Sequence, residues 1–172
     1  MPSCLPSSPN RRAEAARILL QRRQARDHLL EFSKLVMPEY EAGRHHVILC
    51  NALDRFARGE CRRLMVFMPP RHGKSQLVSK HLPAYLLGRN PDCSVIACSY
   101  GADLASRMNR DVQRIMDGLE YSHLFPESSL NGKNARASQL SYIRNSDLFE
   151  IVGRKGSYRS AGVGGGITGL GV

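Results

Sequence analysis

The sequence predicts an α/β fold in which a mostly parallel sheet is flanked by helices. An apolar run at residues 64–67 leads into Pro-Pro-Arg-His-Gly-Lys-Ser at residues 69–75. A helical pattern starts at Ser75, and a second apolar run follows at residues 94–99. Strand, loop, helix and strand in this order indicate a βαβ unit, whose two strands lie parallel.

The first 60 residues predict a leader and two helices. Residues 1–10, rich in proline and serine, indicate a disordered leader. Apolar residues at steps of three and four predict a helix over residues 12–36, which Met37-Pro38 ends because proline disfavours α geometry in the residue before it. A second helix is predicted over residues 45–58, ending at Gly59.

The segments after the loop continue the alternation of helices and strands. A helix is predicted from Ser75 to about Leu87, stopping at Gly88 and bent or interrupted by Pro83. The run at residues 94–98 is almost continuously apolar, as expected of a parallel strand covered on both faces. The remaining predictions are a helix over residues 102–116, an irregular stretch over 119–134, a β-hairpin of 148–152 and 157–161, and a glycine-rich tail over 162–172.

The residue types of the loop fit the binding of a nucleoside triphosphate. Gly73 allows the main chain to approach phosphates, Lys74 supplies a positive charge for the β and γ oxygens, and the Ser75 hydroxyl is a ligand for Mg²⁺. The general pattern of such loops has glycine where this chain has Met68. The predicted nucleotide contacts are Pro70, Arg71, His72, Gly73, Lys74, Ser75 and Gln76.

Composition and charge narrow the classes of protein. No apolar run reaches the length of a membrane span, and the N-terminus lacks the pattern of a signal peptide. Five cysteines without a Cys-x-x-Cys pair argue against a disulfide frame and a zinc site. A formal charge of +10 favours a polyanionic partner such as nucleic acid, and a cluster of arginines between residues 11 and 26 is one candidate contact; a merely solvated basic surface is the alternative.

A set of co-linear segments resembles a known family, the large terminase subunits of tailed bacteriophages, which are the ATPase motors that package viral DNA. The segments are HH at 45–46, ALDRFARGECRRL, MPPRHGKS, LLGRNPDCSVIACSYGADLASRMNRDVQRIM, LFPES and SYRSAGVGGGITGLG. The resemblance covers most of residues 45–171, and Met68 is typical of its loop. It implies a P-loop NTPase core over residues 61–172, with 11–60 as an N-terminal helical region.

The resemblance also implies a set of roles and partners. Lys74 and Ser75 correspond to the phosphate and magnesium residues, and Arg71 to a basic loop residue that acts on the γ-phosphate from within the same chain. The implied cofactors are ATP and Mg²⁺. The implied partners are double-stranded viral DNA, the small terminase subunit and the portal protein, on which the full-length motor is an oligomer; the implied location is the cytoplasm of the bacterial host, with no membrane.

The chain departs from the family beyond its glycine-rich segment. In the family, an apolar strand ending in paired acidic residues follows, then a coupling motif and a nuclease domain, and none of these is found here. Leu170 also stands where a basic residue is common. We therefore expect a partial ATPase domain that binds nucleotide weakly and does not turn it over, because positioned charges carry most of phosphoryl transfer.

Two other functions remain open from the sequence. One is a different phosphate-loop protein, related to helicases or nucleotide kinases. The other is a non-catalytic prophage remnant with a basic DNA-binding surface. His45 and His46 are candidates to approach a bound base, although a surface or packing role is the better interpretation of lone histidines.

Overall fold

A computed structural model of the 172-residue chain describes residues 9–131 and 142–163, so the predicted leader up to residue 8 and the glycine-rich tail from residue 164 lie outside the described residues. The described part is a mixed helix and sheet structure. Its elements are α1 (Pro9–Asp27), α2 (Leu29–Val36), α3 (Arg44–Ala57), a π-helical turn (Gln76–His81), α4 (Leu82–Arg89), β1 (Ser94–Ser99), α5 (Ala102–Met116), α6 (Leu119–Leu124), β2 (Leu148–Glu150) and β3 (Ser157–Gly162).

The single helix predicted over residues 12–36 is two helices. His28 separates them with extended backbone, φ −132° and ψ 123°. The periodic apolar residues could not reveal this break, because Leu29 and Phe32 continue the same pattern on the far side of it. Almost all of α1 is exposed, whereas α2 buries Leu29, Phe32 and Leu35 against the rest of the molecule.

The sheet of the described residues has the order β1-β3-β2. β1 pairs parallel to β3, with Ser94 opposite Ser157, and β2 pairs antiparallel to β3, with Phe149 opposite Tyr158. The strand over residues 94–99 and the hairpin are thus confirmed. The described sheet is mixed: β1 and β3 form the predicted parallel pair, and the predicted hairpin adds an antiparallel one.

Residues 64–68 are the second correction. Residues 64–67 were predicted as the first strand of the sheet, but the segment pairs with no other strand among the described residues. Their side chains nevertheless alternate, with Leu64, Val66 and Met68 packed on the core and Met65 and Phe67 79% and 84% exposed. Alternation of side chains between two faces is typical of an extended segment and carries no information about a pairing partner.

The helix after the loop begins with a wide turn. Pro83 has no N–H to donate, and the segment just before it is π-helical, with the Leu82 N–H bonded to the Leu77 carbonyl. The predicted interruption near Pro83 is therefore confirmed. The predicted end at Gly88 is wrong: Gly88 lies inside α4, where a Cβ would come within 2.2 Å of the Phe125 ring, so its glycine serves close packing.

The predicted irregular stretch after residue 119 begins with a helix, α6, which holds Tyr121 in the core. Phe32 of α2 contacts the rings of Tyr85, Tyr121 and Phe125 at centroid distances of 5.4–6.2 Å. A single hydrophobic cluster therefore joins α2 to α4, α6 and the hairpin strands. No helix of the described ranges has the length and apolar character needed to cross a membrane.

Candidate functional site

The loop between residues 68 and 74 has an unusual backbone. Arg71 has φ 63°, and it is the one residue other than glycine with a positive φ in the described ranges. Gly73 has φ 76°. The left-handed region costs a residue with a Cβ about 1–2 kcal/mol, so the surrounding structure imposes this conformation on Arg71. A left-handed residue followed by a helical one turns successive N–H groups to one side, which is the geometry of anion-binding backbone nests.

A helical turn starts directly after this bend. Lys74 and Ser75 are its first residues, and the Leu77 N–H donates to the Gly73 carbonyl at 3.0 Å. The first N–H groups of a helix have no carbonyl one turn earlier to bond, so those of Lys74, Ser75 and Gln76 face outward from the helix start. Together with the positive end of the helix dipole they favour an anion at this place.

The two cations of the loop are available for a ligand. Neither Arg71 nor Lys74 forms an ion pair with any residue that the structure describes. Lys80, one turn further on, contrasts with them because its ammonium lies 2.8 Å from the Asp111 carboxylate. All Asp and Glu residues of the sequence fall within the described ranges, and none of their side chains forms an ion pair with Arg71 or Lys74.

His46 of α3 supports the loop at His72, the residue before Gly73. Its Nδ1 accepts a hydrogen bond from the Gly43 N–H at 3.0 Å, and its Nε2 therefore carries the proton and donates to the His72 carbonyl at 3.2 Å. A Cβ on Gly73 would lie 2.5 Å from this Nε2. Glycine is thus required here both by its φ and by the contact with His46.

Three imidazoles gather around this support. The His45 and His46 ring centroids are 3.9 Å apart, and His45 lies 5.7 Å from His72. Desolvation and then the neighbouring rings of His46 and His72 lower the pKa of His45. Of the two histidines considered as contacts for a bound base, His46 forms a hydrogen bond to the loop.

Gln76 was predicted to contact a nucleotide, but its side chain points into the protein. Its amide nitrogen lies 2.7 Å from Nε2 of His81, whose Nδ1 lies 2.8 Å from the Ser33 hydroxyl. Sequence reasoning missed His81 and Ser33, because no local pattern indicates a contact between residues 48 positions apart in the chain. The one available signal was a histidine within an apolar helical run.

The remaining predicted residues surround the bend. Pro70 accepts a hydrogen bond on its carbonyl from the His72 ring at 2.8 Å, which stiffens the turn. The Ser75 side chain is exposed, so its hydroxyl is free to become one ligand of a metal ion. No group of three or more His, Cys, Asp or Glu residues with the spacing of a metal site occurs within residues 9–131 and 142–163.

The residues present fit a bound triphosphate with Mg²⁺. The backbone amides and the Lys74 ammonium suit phosphate oxygens, and a single serine hydroxyl suits Mg²⁺, which commonly retains water and phosphate ligands. Comparison of the chain with protein-family models, with curated proteins and with solved structures finds no match.

Proposed function

We propose that the chain binds ATP through residues 70–76. The observation that carries the proposal is the loop backbone: Arg71 and Gly73 both have positive φ, and the bend they form opens onto the start of a helix. A cation without a carboxylate partner, Lys74, lies at this same point. These are the features by which a main chain and a lysine hold phosphate groups.

Within this site the residues have distinct tasks. The amides of residues 73–76 and the Lys74 ammonium bind phosphate oxygens, and the Arg71 guanidinium offsets charge on the terminal phosphate. The Ser75 hydroxyl would hold Mg²⁺, which would neutralise part of the charge of the phosphates. His46 fixes the His72 carbonyl and so keeps the bend open toward the ligand.

We further propose that this ATP site belongs to a motor that packages viral double-stranded DNA in the host cytoplasm, as the resemblance to large terminase subunits implies. The basic character of the chain supports a polyanionic partner. The small terminase subunit and the portal protein are the further partners that this proposal brings with it. A helicase-like or kinase-like phosphate-loop protein is the competing interpretation, and stimulation of nucleotide turnover by duplex DNA in a full-length form would favour the motor.

The test is a titration of the purified chain with a fluorescent ATP analogue and Mg²⁺. We expect saturable binding that Lys74→Ala weakens by at least about tenfold, since a charge-assisted contact to phosphate is lost. Lys155→Ala is the matched control, because Lys155 is an exposed lysine in the hairpin turn. Equal affinity of the Lys74 and Lys155 variants would contradict the proposal. Phosphate release from the same samples tests the expectation that turnover is absent.

A second function, DNA contact through α1, is supported by a separate observation. Arg11, Arg17 and Arg23 are exposed and form no ion pair with a described residue. Arg22 and Arg26 of the same helix instead bind Glu120 and the Leu124 carbonyl, which attaches the end of α1 to α6. The helix therefore presents unpaired cations while its C-terminal end is fixed to the body of the protein.

A further inference from the structure

The side chain of Gln76 joins the loop to a buried histidine. Gln76 follows Ser75 directly, and its amide nitrogen lies 2.7 Å from the Nε2 atom of His81 and 3.7 Å from the Met37 sulfur. The first turn of the helix that follows the loop is therefore fixed by a side chain as well as by backbone bonds.

The other side of the His81 ring reaches the N-terminal helices. Its Nδ1 lies 2.8 Å from the hydroxyl of Ser33 in α2. His81 is 1% exposed and Ser33 is 0% exposed. Hydrogen bonds between buried groups are costly to break, because the freed donor or acceptor finds no water. A continuous polar connection thus runs from α2 to the residue after Ser75.

The ring can serve both partners only when it is neutral. The Gln76 amide nitrogen can only donate, so Nε2 accepts and the proton resides on Nδ1, which donates to Ser33. Burial, and then the neighbouring ammonium of Lys80, lower the pKa of His81 to about 4. The ring is accordingly neutral at physiological pH.

The π-helical turn is what allows this contact. In an α-helix the residues that share a face are three or four apart, so side chains five apart diverge. A π turn is closed by bonds between residues five apart, as between Leu77 and Leu82 here, and Gln76 and His81 have this same spacing. The wide turn and the Gln76–His81 hydrogen bond therefore depend on each other.

We propose that His81 is a positioning residue for the phosphate loop. It holds Gln76 from one side and Ser33 of α2 from the other, so the end of the loop is fixed relative to the N-terminal helices. His46 of α3 fixes the bend of the loop through the His72 carbonyl, so α2 and α3 both hold this segment. The role in ligand binding rests on the proposed ATP function; the ordering of the loop does not.

A pair of substitutions separates the two hydrogen bonds of His81. Glutamine places a carbonyl oxygen near the position of Nε2 and keeps an acceptor for Gln76, whereas asparagine places an amide near Nδ1 and keeps only the bond to Ser33. The readouts are hydrogen exchange of amides 73–77 in the free protein and affinity for the fluorescent ATP analogue. We expect His81→Gln, which loses only the bond to Ser33, to exchange slightly faster than the wild type. His81→Asn, which releases Gln76 itself, should exchange faster still and bind about three- to tenfold more weakly, as for one lost hydrogen bond.

Two buried serines supply a second, independent comparison. Ser33→Ala removes the partner of Nδ1, whereas Ser128→Ala removes a hydroxyl that bonds Tyr121 at 3.0 Å, away from the loop. Both serines are at most 1% exposed, so the two variants lose a similar buried contact. We expect only Ser33→Ala to speed exchange of amides 73–77. This comparison gives the answer if the His81 variants fail to fold.

The outcomes distinguish this inference from the proposed function. Equal exchange at the loop in His81→Gln and His81→Asn, or in Ser33→Ala and Ser128→Ala, would overturn the positioning role. Absence of nucleotide binding by the wild type would overturn the ATP function and the ligand-binding part of this role, while the exchange measurements still decide whether His81 orders the loop.

Discussion

The carboxylate of Asp54 in α3 accepts a hydrogen bond from the backbone N–H of Leu29, the first residue of α2, at 2.8 Å. The second carboxylate oxygen lies 3.5 Å from the His28 ring. Asp54 is buried, and α2 has no capping side chain of its own at His28. A neighbouring helix therefore caps the start of α2, which keeps α2 in place where it carries Ser33 and Phe32.

Loss of this cap should destabilise the fold. Asp54→Ala leaves the Leu29 N–H buried without a partner, and we expect the free energy of unfolding to fall by about 1–3 kcal/mol. Denaturation by urea measures the change. Glu39→Ala is the control, since Glu39 is exposed, and it should change stability by less than about 0.5 kcal/mol. Equal losses in the two variants would refute the capping role.

We expect Arg71 to lower the stability of the fold and to strengthen nucleotide binding. Asparagine tolerates a positive φ better than arginine, so Arg71→Asn should raise the free energy of unfolding by about 0.5–1 kcal/mol. The same change removes a cation from the loop and should weaken binding of the ATP analogue about three- to tenfold. The control is Arg63→Asn, which makes the same exchange at an exposed position without a positive φ. We expect it to leave the free energy of unfolding without an increase.

His81 should make stability depend on pH. Its pKa of about 4 in the folded protein lies below the ordinary value of 6.5, so the unfolded chain takes up this proton first as the pH falls. The neutral His81 ring therefore contributes on the order of 3 kcal/mol to the free energy of unfolding above pH 6.5, and this contribution declines between about pH 6.5 and 4. The measurement is urea denaturation of the wild type and of His81→Gln, which does not titrate, at pH 7 and pH 4.5. Identical pH dependence of the two proteins would show that His81 is not the source.

The exposed arginines of α1 should contribute to DNA affinity and its salt dependence. Replacing Arg11, Arg17 and Arg23 by alanine should reduce the slope of log affinity against log salt by about 2–3. Fluorescence anisotropy with duplex DNA at several salt concentrations measures both quantities. The matched control replaces Arg55, Arg58 and Arg114, which already pair with Glu60 and Asp111. An equal change of slope in both triple variants would assign the effect to net charge alone.

Sequence patterns predicted best those elements that are determined by residues close together in the chain. The helices α3 and α5, the strand β1 and the hairpin follow from local periodicity and turn residues, whereas the ATP site stays a proposal based on the residue types and backbone of residues 70–76. Residues 64–67 mark the limit: their apolar run predicted a strand of the sheet, but pairing depends on where other strands lie. The break at His28 is similar, because its cap comes from Asp54, far along the chain.

The support of the candidate site was the least predictable part. His46 was noted only as a lone histidine, and its contact with the His72 carbonyl depends on how α3 lies beside the loop. His81 and Ser33 are ordinary residues of helical runs until the π turn brings Gln76 onto the same face as His81. Such contacts are set by packing between elements, about which the spacing of residues within one element says little.

The wide turn at Gln76–His81 accommodates one residue more than a regular helical turn. An α turn closes over four residues and a π turn over five, so the residues before the wide turn keep nearly the direction that a regular helix one residue shorter would give them. A deletion within α4 has no such allowance, because each residue of an α-helix advances by about 100° around the axis. Everything before such a deletion would swing by that angle, and Lys74 and the amides beside it would face another direction. The wide turn thus tolerates a change of one residue in length that the regular helix α4 does not.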